Sequence, residues 1–340
     1  MSADLQLQVF RNITDFDLDD IFDSGQTFRW NKEKDGSYSG IVEGSFANIG
    51  FTPYTTKNSG AIGIWSNLYA DSPARREAYW RNYLDLNRDY GAIKRILMTE
   101  DSVMAKAIKM SPGIRILNQN KWETLISFII SQNNNIPRIK SSIEALCAAE
   151  GKEIGYLKGS PIHAFPTLEK LKKAKDQDLE PCKLGYRSKY LIEVARQVGY
   201  DSGAFLASGE KLSKDRLMEY LLNLSGVGPK VANCVMLFSM KKLDVFPIDV
   251  WVRRVMSRFY GMGEENVSAM KDYAERNFQE YGGIAQQYLF TYIRKIKYTN
   301  PSLYERLNFG ENQGKGFDSE KENIETAIKR EKPISILPKT

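Results

Sequence analysis

The chain has 340 residues, 42% hydrophobic and 26% charged, a soluble globular composition and more length than one typical core holds. No run approaches the roughly 18 apolar residues that a membrane-spanning helix needs, and the opening Met1-Ser2-Ala3-Asp4-Leu5-Gln6 has no secretory pattern, which predicts an intracellular protein. Three widely spaced cysteines, Cys147, Cys182 and Cys234, with the single histidine His163 exclude a disulfide framework, a zinc site and a four-cysteine iron–sulfur cluster. Chemistry therefore falls to Lys, Asp, Glu, Tyr or backbone groups. The net charge of +6 is uneven: residues 101–300 carry 30 basic against 21 acidic side chains, whereas 1–100 carry 11 against 14. A basic middle suits a polyanion. Solvated surface would give the same bias.

Residues 5–66 read as short strands, among them 27–30, 37–42 and 61–65, separated by Gly, Asn and Asp clusters that favour antiparallel hairpins. After Pro73 the apolar spacing becomes helical, and helices are predicted over 101–109, 121–131, 137–149, 167–175, 188–198, 213–222, 229–240, 250–260, 268–281 and 284–294. The fold class is α+β: an antiparallel sheet domain over 1–110, an all-helical domain over 111–300, and a charged tail over 301–340. In that tail, 310–316 reads as a linker, 319–332 as a charged helix, and the whole as a mobile segment.

The most informative block is Leu224-Ser225-Gly226-Val227-Gly228-Pro229-Lys230, a glycine turn between two helical patterns, with Pro247-Ile248-Asp249 following. Glycine permits positive φ and close backbone approach, and proline suits the first helical turn, where its missing N–H costs nothing. Unsatisfied N–H groups at that helix start can meet a phosphate oxygen. This is a helix-hairpin-helix signature, which grips nucleic-acid backbone without reading sequence. Lys230 sits in the first turn, where the helix terminus and partial desolvation are expected to lower its pKa and supply free amine for attack on a sugar C1′. A plain phosphate-binding lysine has the same signature. Asp249 precedes an apolar helix, as an N-cap does, and a carboxylate fixed there can also stabilise positive charge on a deoxyribose ring.

These motifs, with Ser24-Gly25-Gln26-Thr27-Phe28-Arg29-Trp30, Ser131-Gln132-Asn133-Asn134-Asn135-Ile136-Pro137-Arg138-Ile139, Leu184-Gly185-Tyr186-Arg187-Ser188-Lys189-Tyr190 and Ala285-Gln286-Gln287-Tyr288-Leu289-Phe290, make residues 18–294 resemble the 8-oxoguanine DNA glycosylases of the helix-hairpin-helix superfamily. The resemblance implies that Lys230 is the nucleophile and Schiff-base lysine and Asp249 the catalytic carboxylate. It makes Gly25 the residue whose carbonyl accepts from N7–H of the lesion, a contact that guanine, an acceptor at N7, cannot make. Cys234 and Phe290 would sandwich the flipped base and Gln286 would meet its Watson–Crick edge. Helical spacing agrees, because Lys230 and Cys234 are i, i+4 on one helix and Gln286 and Phe290 on another. Spacing alone also fits Cys234 and Phe290 as core residues.

By the same resemblance Gly226 and Gly228 contact DNA, Asn133 enters the gap left by the extruded nucleotide, Tyr186 wedges beside the estranged base, and Arg138 and Arg187 donate to it, preferring cytosine. For the arginines, phosphate contact is the alternative; for Asn133, a helix-ending cap. Many relatives carry histidine where this chain has Trp251, so a phosphate contact there is open; His163 reads as structural. The expected function is a bifunctional glycosylase and lyase acting as a monomer on double-stranded DNA that contains 8-oxoguanine, in the cytoplasm and nucleoid or in a eukaryotic nucleus. No membrane partner, metal or organic cofactor is expected, although the family allows a monovalent cation at the hairpin carbonyls. The alternatives are a glycosylase for another base and a non-catalytic DNA-binding protein.

Overall fold

The computed structural model describes residues 5–54, 59–201, 203–302 and 304–305; the predicted linker and tail helix beyond 305 lie outside them. Five strands, β1 (Gln6–Thr14), β2 (Trp30–Lys32), β3 (Tyr38–Val42), β4 (Ser45–Pro53) and β5 (Ser59–Ser66), form an antiparallel sheet ordered β1-β5-β4-β3-β2. A short helix, α1 (Leu18–Phe22), leads from β1 toward β2 and is capped by Asp17, whose carboxylate accepts from Asp20 N. The predicted strand over 27–30 is therefore mostly loop, and only Trp30 enters the ladder.

Alternation along β4 and β5 places Ala47, Ile49, Ile62 and Ile64 inward. They pack with Trp30 and with Trp80 and Tyr83 of α2 (Pro73–Tyr83), and the Trp30 indole N–H donates to Tyr83 Oη at 2.8 Å. This core ends at Leu84, apart from Leu117. Helices α3 (Tyr90–Met98) and α4 (Ser102–Met110) send Tyr90, Ile93, Leu97, Met104 and Ile108 into the second, helical core. The packing thus changes hands near residue 90.

The helical core continues through α5 (Lys121–Ile130) and α6 (Ile136–Glu150), then an antiparallel hairpin of β6 (Glu153–Leu157) and β7 (Ser160–His163) that the helical reading of this region lacked. Its strands are short and half-exposed, so their apolar alternation is faint. His163 ends β7, and its backbone carbonyl accepts from Arg29 Nη2 at 2.8 Å. Then follow α7 (Leu168–Lys173), α8 (Asp176–Leu179), α9 (Arg187–Val198), α10 (Ala204–Ala207), α11 (Lys214–Leu222), α12 (Pro229–Met240), α13 (Val250–Tyr260), α14 (Val267–Asn277) and α15 (Gly282–Thr299). Among the described residues no helix is long and apolar enough to cross a membrane.

Buried polar side chains hold sheet and helices together. Gln26, 1% exposed, donates to the carbonyls of Ile21 (3.0 Å) and Arg115 (2.9 Å), accepts from Leu117 N at 2.9 Å, and its own carbonyl accepts from Gln119 Nε2 at 2.7 Å. Lys295 of α15 pairs with Asp20 of α1 at 2.6 Å. Both contacts fix the loop carrying Gly25 against the helical core. Gln26→Leu would strand the Leu117 N–H and the Ile21 and Arg115 carbonyls in apolar surroundings, and should cost about 3–5 kcal/mol in urea unfolding; a loss below about 1 kcal/mol would show that other contacts hold the loop.

Candidate active site

Lys230 is the second residue of α12, which starts at Pro229 after the extended cap Gly228. Gly226 takes φ +74°, the left-handed turn that glycine permits, and joins α11 to α12 as expected for the hairpin. The Lys230 amine donates to Ser131 Oγ at 3.2 Å and lies 5.0 Å from the centre of the Phe128 ring, both reached from α5. Asp249 caps α13: its Oδ1 accepts from the backbone N–H of Trp251 and of Val252, each at 2.9 Å. Cap and candidate catalyst are one side chain. Burial raises this carboxyl above the ordinary range, while the Val252 N–H, Lys230, the Trp251 N–H and Arg294 act in the opposite direction.

Gly25, Lys230, Cys234, Asp249, Gln286 and Phe290 all line one cavity of about 40 Å³, together with Ser24, Phe128, Phe238, Pro247 and Gln287. The residues predicted from widely separated motifs therefore meet. Cys234 is 4% exposed and burial pushes its thiol up to about 11, so it presents a neutral, apolar face. Gly25 has φ +76°, and a Cβ there would stand 3.2 Å from Phe290 Cε1, so the phenyl ring rests against the glycine. The Gly25 carbonyl accepts no hydrogen bond from any described residue. Gln286 and Gln287 are both buried, and the amide oxygen of each lacks a partner among the described residues.

A buried polar atom without a partner costs about 1–3 kcal/mol, and two such oxygens belong to residues that line this cavity. Gln287 was missed by sequence reasoning, which gave a role only to its neighbour; its place one residue along α15 from Gln286 is the signal available there. A larger cleft of about 660 Å³ between the sheet domain and α5 contains none of the predicted residues.

The predicted DNA-facing residues lie on turns outside this cavity. Asn133 is exposed at φ +49°, while Asn135 caps α6 and Asn134 donates back to the Ile130 carbonyl at 3.3 Å, so capping falls to Asn135 and leaves the Asn133 side chain unengaged. Tyr186 is 52% exposed. Arg138 is exposed and its guanidinium makes no hydrogen bond or ion pair with described residues. Arg187 differs sharply. It is 6% exposed, with Nε and Nη2 donating to the Gln132 carbonyl, Nη2 also to Asn133 O at 3.2 Å and Nη1 to Leu184 O at 3.2 Å. Most of its donors are committed to backbone. Trp251 is half-buried against Tyr304, with Arg254 and Lys297 over its ring at 5.2 and 5.1 Å. Among the hairpin carbonyls, Leu224 O accepts from Val227 N and Gly226 O from Gln132 Nε2, so each has one protein partner and keeps a second lone pair.

Known proteins give this geometry its context. Residues 8–125 match the 8-oxoguanine DNA glycosylase N-terminal domain, and residues 126–281 the HhH-GPD superfamily base excision DNA repair protein family. A probable N-glycosylase/DNA lyase of Methanothermobacter thermautotrophicus is 30% identical over 323 residues, covering 88% of this chain and 98% of that protein. The 8-oxoguanine glycosylase/lyase of Clostridium acetobutylicum, solved with double-stranded DNA containing cytosine opposite 8-oxoguanine, superposes with a TM-score of 0.76 at 37% identity, covering 86% of this chain and 97% of that one. MBOgg1, solved with a low-affinity DNA ligand, gives 0.77 at 38% identity, covering 87% and 99%. With both family matches in chain order and relatives aligned over nearly their whole length, the chain belongs to the 8-oxoguanine DNA glycosylase family of the HhH-GPD superfamily.

Proposed function

We propose that this chain excises 8-oxoguanine from duplex DNA and then cleaves the strand. One observation carries the reading: the Gly25 carbonyl and the Gln286 amide oxygen, both without partners among the described residues, share a cavity wall with Lys230 and Asp249. The lesion carries N7–H, which the Gly25 carbonyl can accept; guanine would set an acceptor against it. The Gln286 amide suits the Watson–Crick edge, and Cys234 and Phe290 suit the two faces. About 40 Å³ is far below the roughly 150 Å³ in which a benzene ring sits. Base entry therefore requires the Phe290 ring to leave Gly25.

As a free amine, Lys230 attacks C1′, the bond to N9 breaks, and the base departs with a proton. The sugar opens at O4′ to an imine with Lys230, loss of a C2′ proton expels the 3′ phosphate, and water releases the lysine. Asp249, held by two N–H groups, stabilises positive charge on the sugar as the base leaves. The hairpin backbone at Gly226 and Gly228 and the start of α12 receive a phosphate, and a monovalent cation held by the Leu224 and Gly226 carbonyls would add positive charge there. Asn133 fills the gap, Tyr186 stacks beside the estranged base, and exposed Arg138 reads it, whereas Arg187 acts chiefly by holding the turn. The partner is double-stranded DNA bound by a monomer.

Borohydride should trap the protein covalently on a duplex with 8-oxoguanine opposite cytosine, and Lys230→Gln should give no adduct; equal trapping in the variant removes Lys230 from its role. Asp249→Asn keeps the cap and should slow single-turnover excision by about 10²-fold or more. Its stability should move the other way. A carboxyl raised in the folded state loses stability as pH climbs above the ordinary carboxylate range, and Asn escapes that loss. The variant should therefore unfold at pH 7 no earlier than the wild type, and an earlier midpoint would contradict the burial argument. Arg138→Ala should flatten the preference among opposing bases in single-turnover rates, and an unchanged preference would make Arg138 a backbone contact.

A further inference from the structure

The Ser131-Gln132-Asn133 turn meets three parts of the protein that are remote in sequence. Ser131 Oγ accepts from Lys230. Gln132 Nε2 donates to the Gly226 carbonyl at 2.8 Å, across 94 residues, and to Ile129 O at 3.1 Å. The carbonyls of Gln132 and Asn133 accept from Arg187, whose guanidinium lies 4.5 Å over the Tyr186 ring. Tyr186 meets Tyr190 edge-on at 5.8 Å, and the Tyr190 ring packs so closely on Gly226 that a Cβ there would stand 2.7 Å from its carbons. The contacts form a closed circuit from hairpin to turn to Arg187 to Tyr186 to Tyr190 and back to the hairpin.

Hairpin contacts with phosphate carry no sequence information, so discrimination between opposing bases must reach the amine from elsewhere. The circuit supplies a route. A base that displaces Tyr186 or Arg187 disturbs the two carbonyls of the turn, and the same turn holds Lys230 through Ser131. We propose, on the basis of the function above, that Gln132 and Tyr190 are positioning residues that lock the hairpin to this turn, so that the base opposite the lesion controls excision rate. Gln132 supplies the donor. Tyr190 supplies only its ring, since its hydroxyl bonds to no described residue.

The test is the ratio of single-turnover excision rates for 8-oxoguanine opposite cytosine and opposite adenine, with urea midpoints and duplex affinity measured alongside. Gln132→Met keeps the shape and removes the donor; the ratio should fall about 2- to 10-fold, the range of one buried neutral hydrogen bond, with affinity for undamaged duplex within about twofold of wild type, because the phosphate contacts that set it remain. Tyr190→Leu should do the same and Tyr190→Phe should match the wild type. A structural role alone would slow both substrates equally and leave the ratio intact. An unchanged ratio in both Gln132→Met and Tyr190→Leu overturns the proposal, as does a collapse in Tyr190→Phe. If one of the first two variants does not fold, the other decides. A wild type that excises opposite no base would defeat the proposed function itself, an outcome separate from these.

Discussion

The carbonyl proposed to recognise the lesion and the amine proposed to attack it come from different parts of the fold, and the proposed reaction depends on holding them in register. Gly25 arrives on a loop after α1, while Lys230, Asp249 and Gln286 stand on α12, at the start of α13 and on α15. What fixes the loop is the Gln26 amide, buried and bonded to Ile21, Arg115 and Leu117. A surface contact of the same kind would be weakened by competing water. The Lys295–Asp20 pair adds a second tie from the helix that carries Gln286.

Within that frame the site trades stability for readiness. Two glutamine oxygens lack partners, an aspartate is kept in surroundings that disfavour its charge, and glycine at φ +76° brings backbone against Phe290. The first two cost free energy in the folded protein, and under the proposed function a base would relieve or use them, whereas the glycine conformation is free of strain. The small cavity follows from the same packing, since the Phe290 ring rests against Gly25.

Much of this was legible in the chain because its signals are local. Gly226, Pro229 and the i, i+4 pairs specify helix ends and shared faces directly, and α12 and α13 fall where the spacing put them. The β6–β7 hairpin was invisible because its strands are too short and exposed to alternate clearly. Arg187 shows another limit: residue type marks a donor, but only the fold reveals that its donors are committed to the Gln132, Asn133 and Leu184 carbonyls. Gln132 and Tyr190 lie within the motifs, but the chain alone hides their contacts, since their partner Gly226 lies far along it. The placement of helices α3 and α4 in the helical core was likewise decided by long-range packing.

The central claim is that the Gly25 carbonyl separates damaged from normal base by one buried hydrogen bond. Its most direct measurement is the single-turnover excision rate of 8-oxoguanine against guanine at the same position opposite cytosine in one duplex. A site built around a hydrogen-bond donor on its substrate rejects an analogue lacking it by about 10⁴-fold or more, and that ratio is the predicted result. A ratio below about 200, the selectivity that apolar shape alone provides, would contradict it.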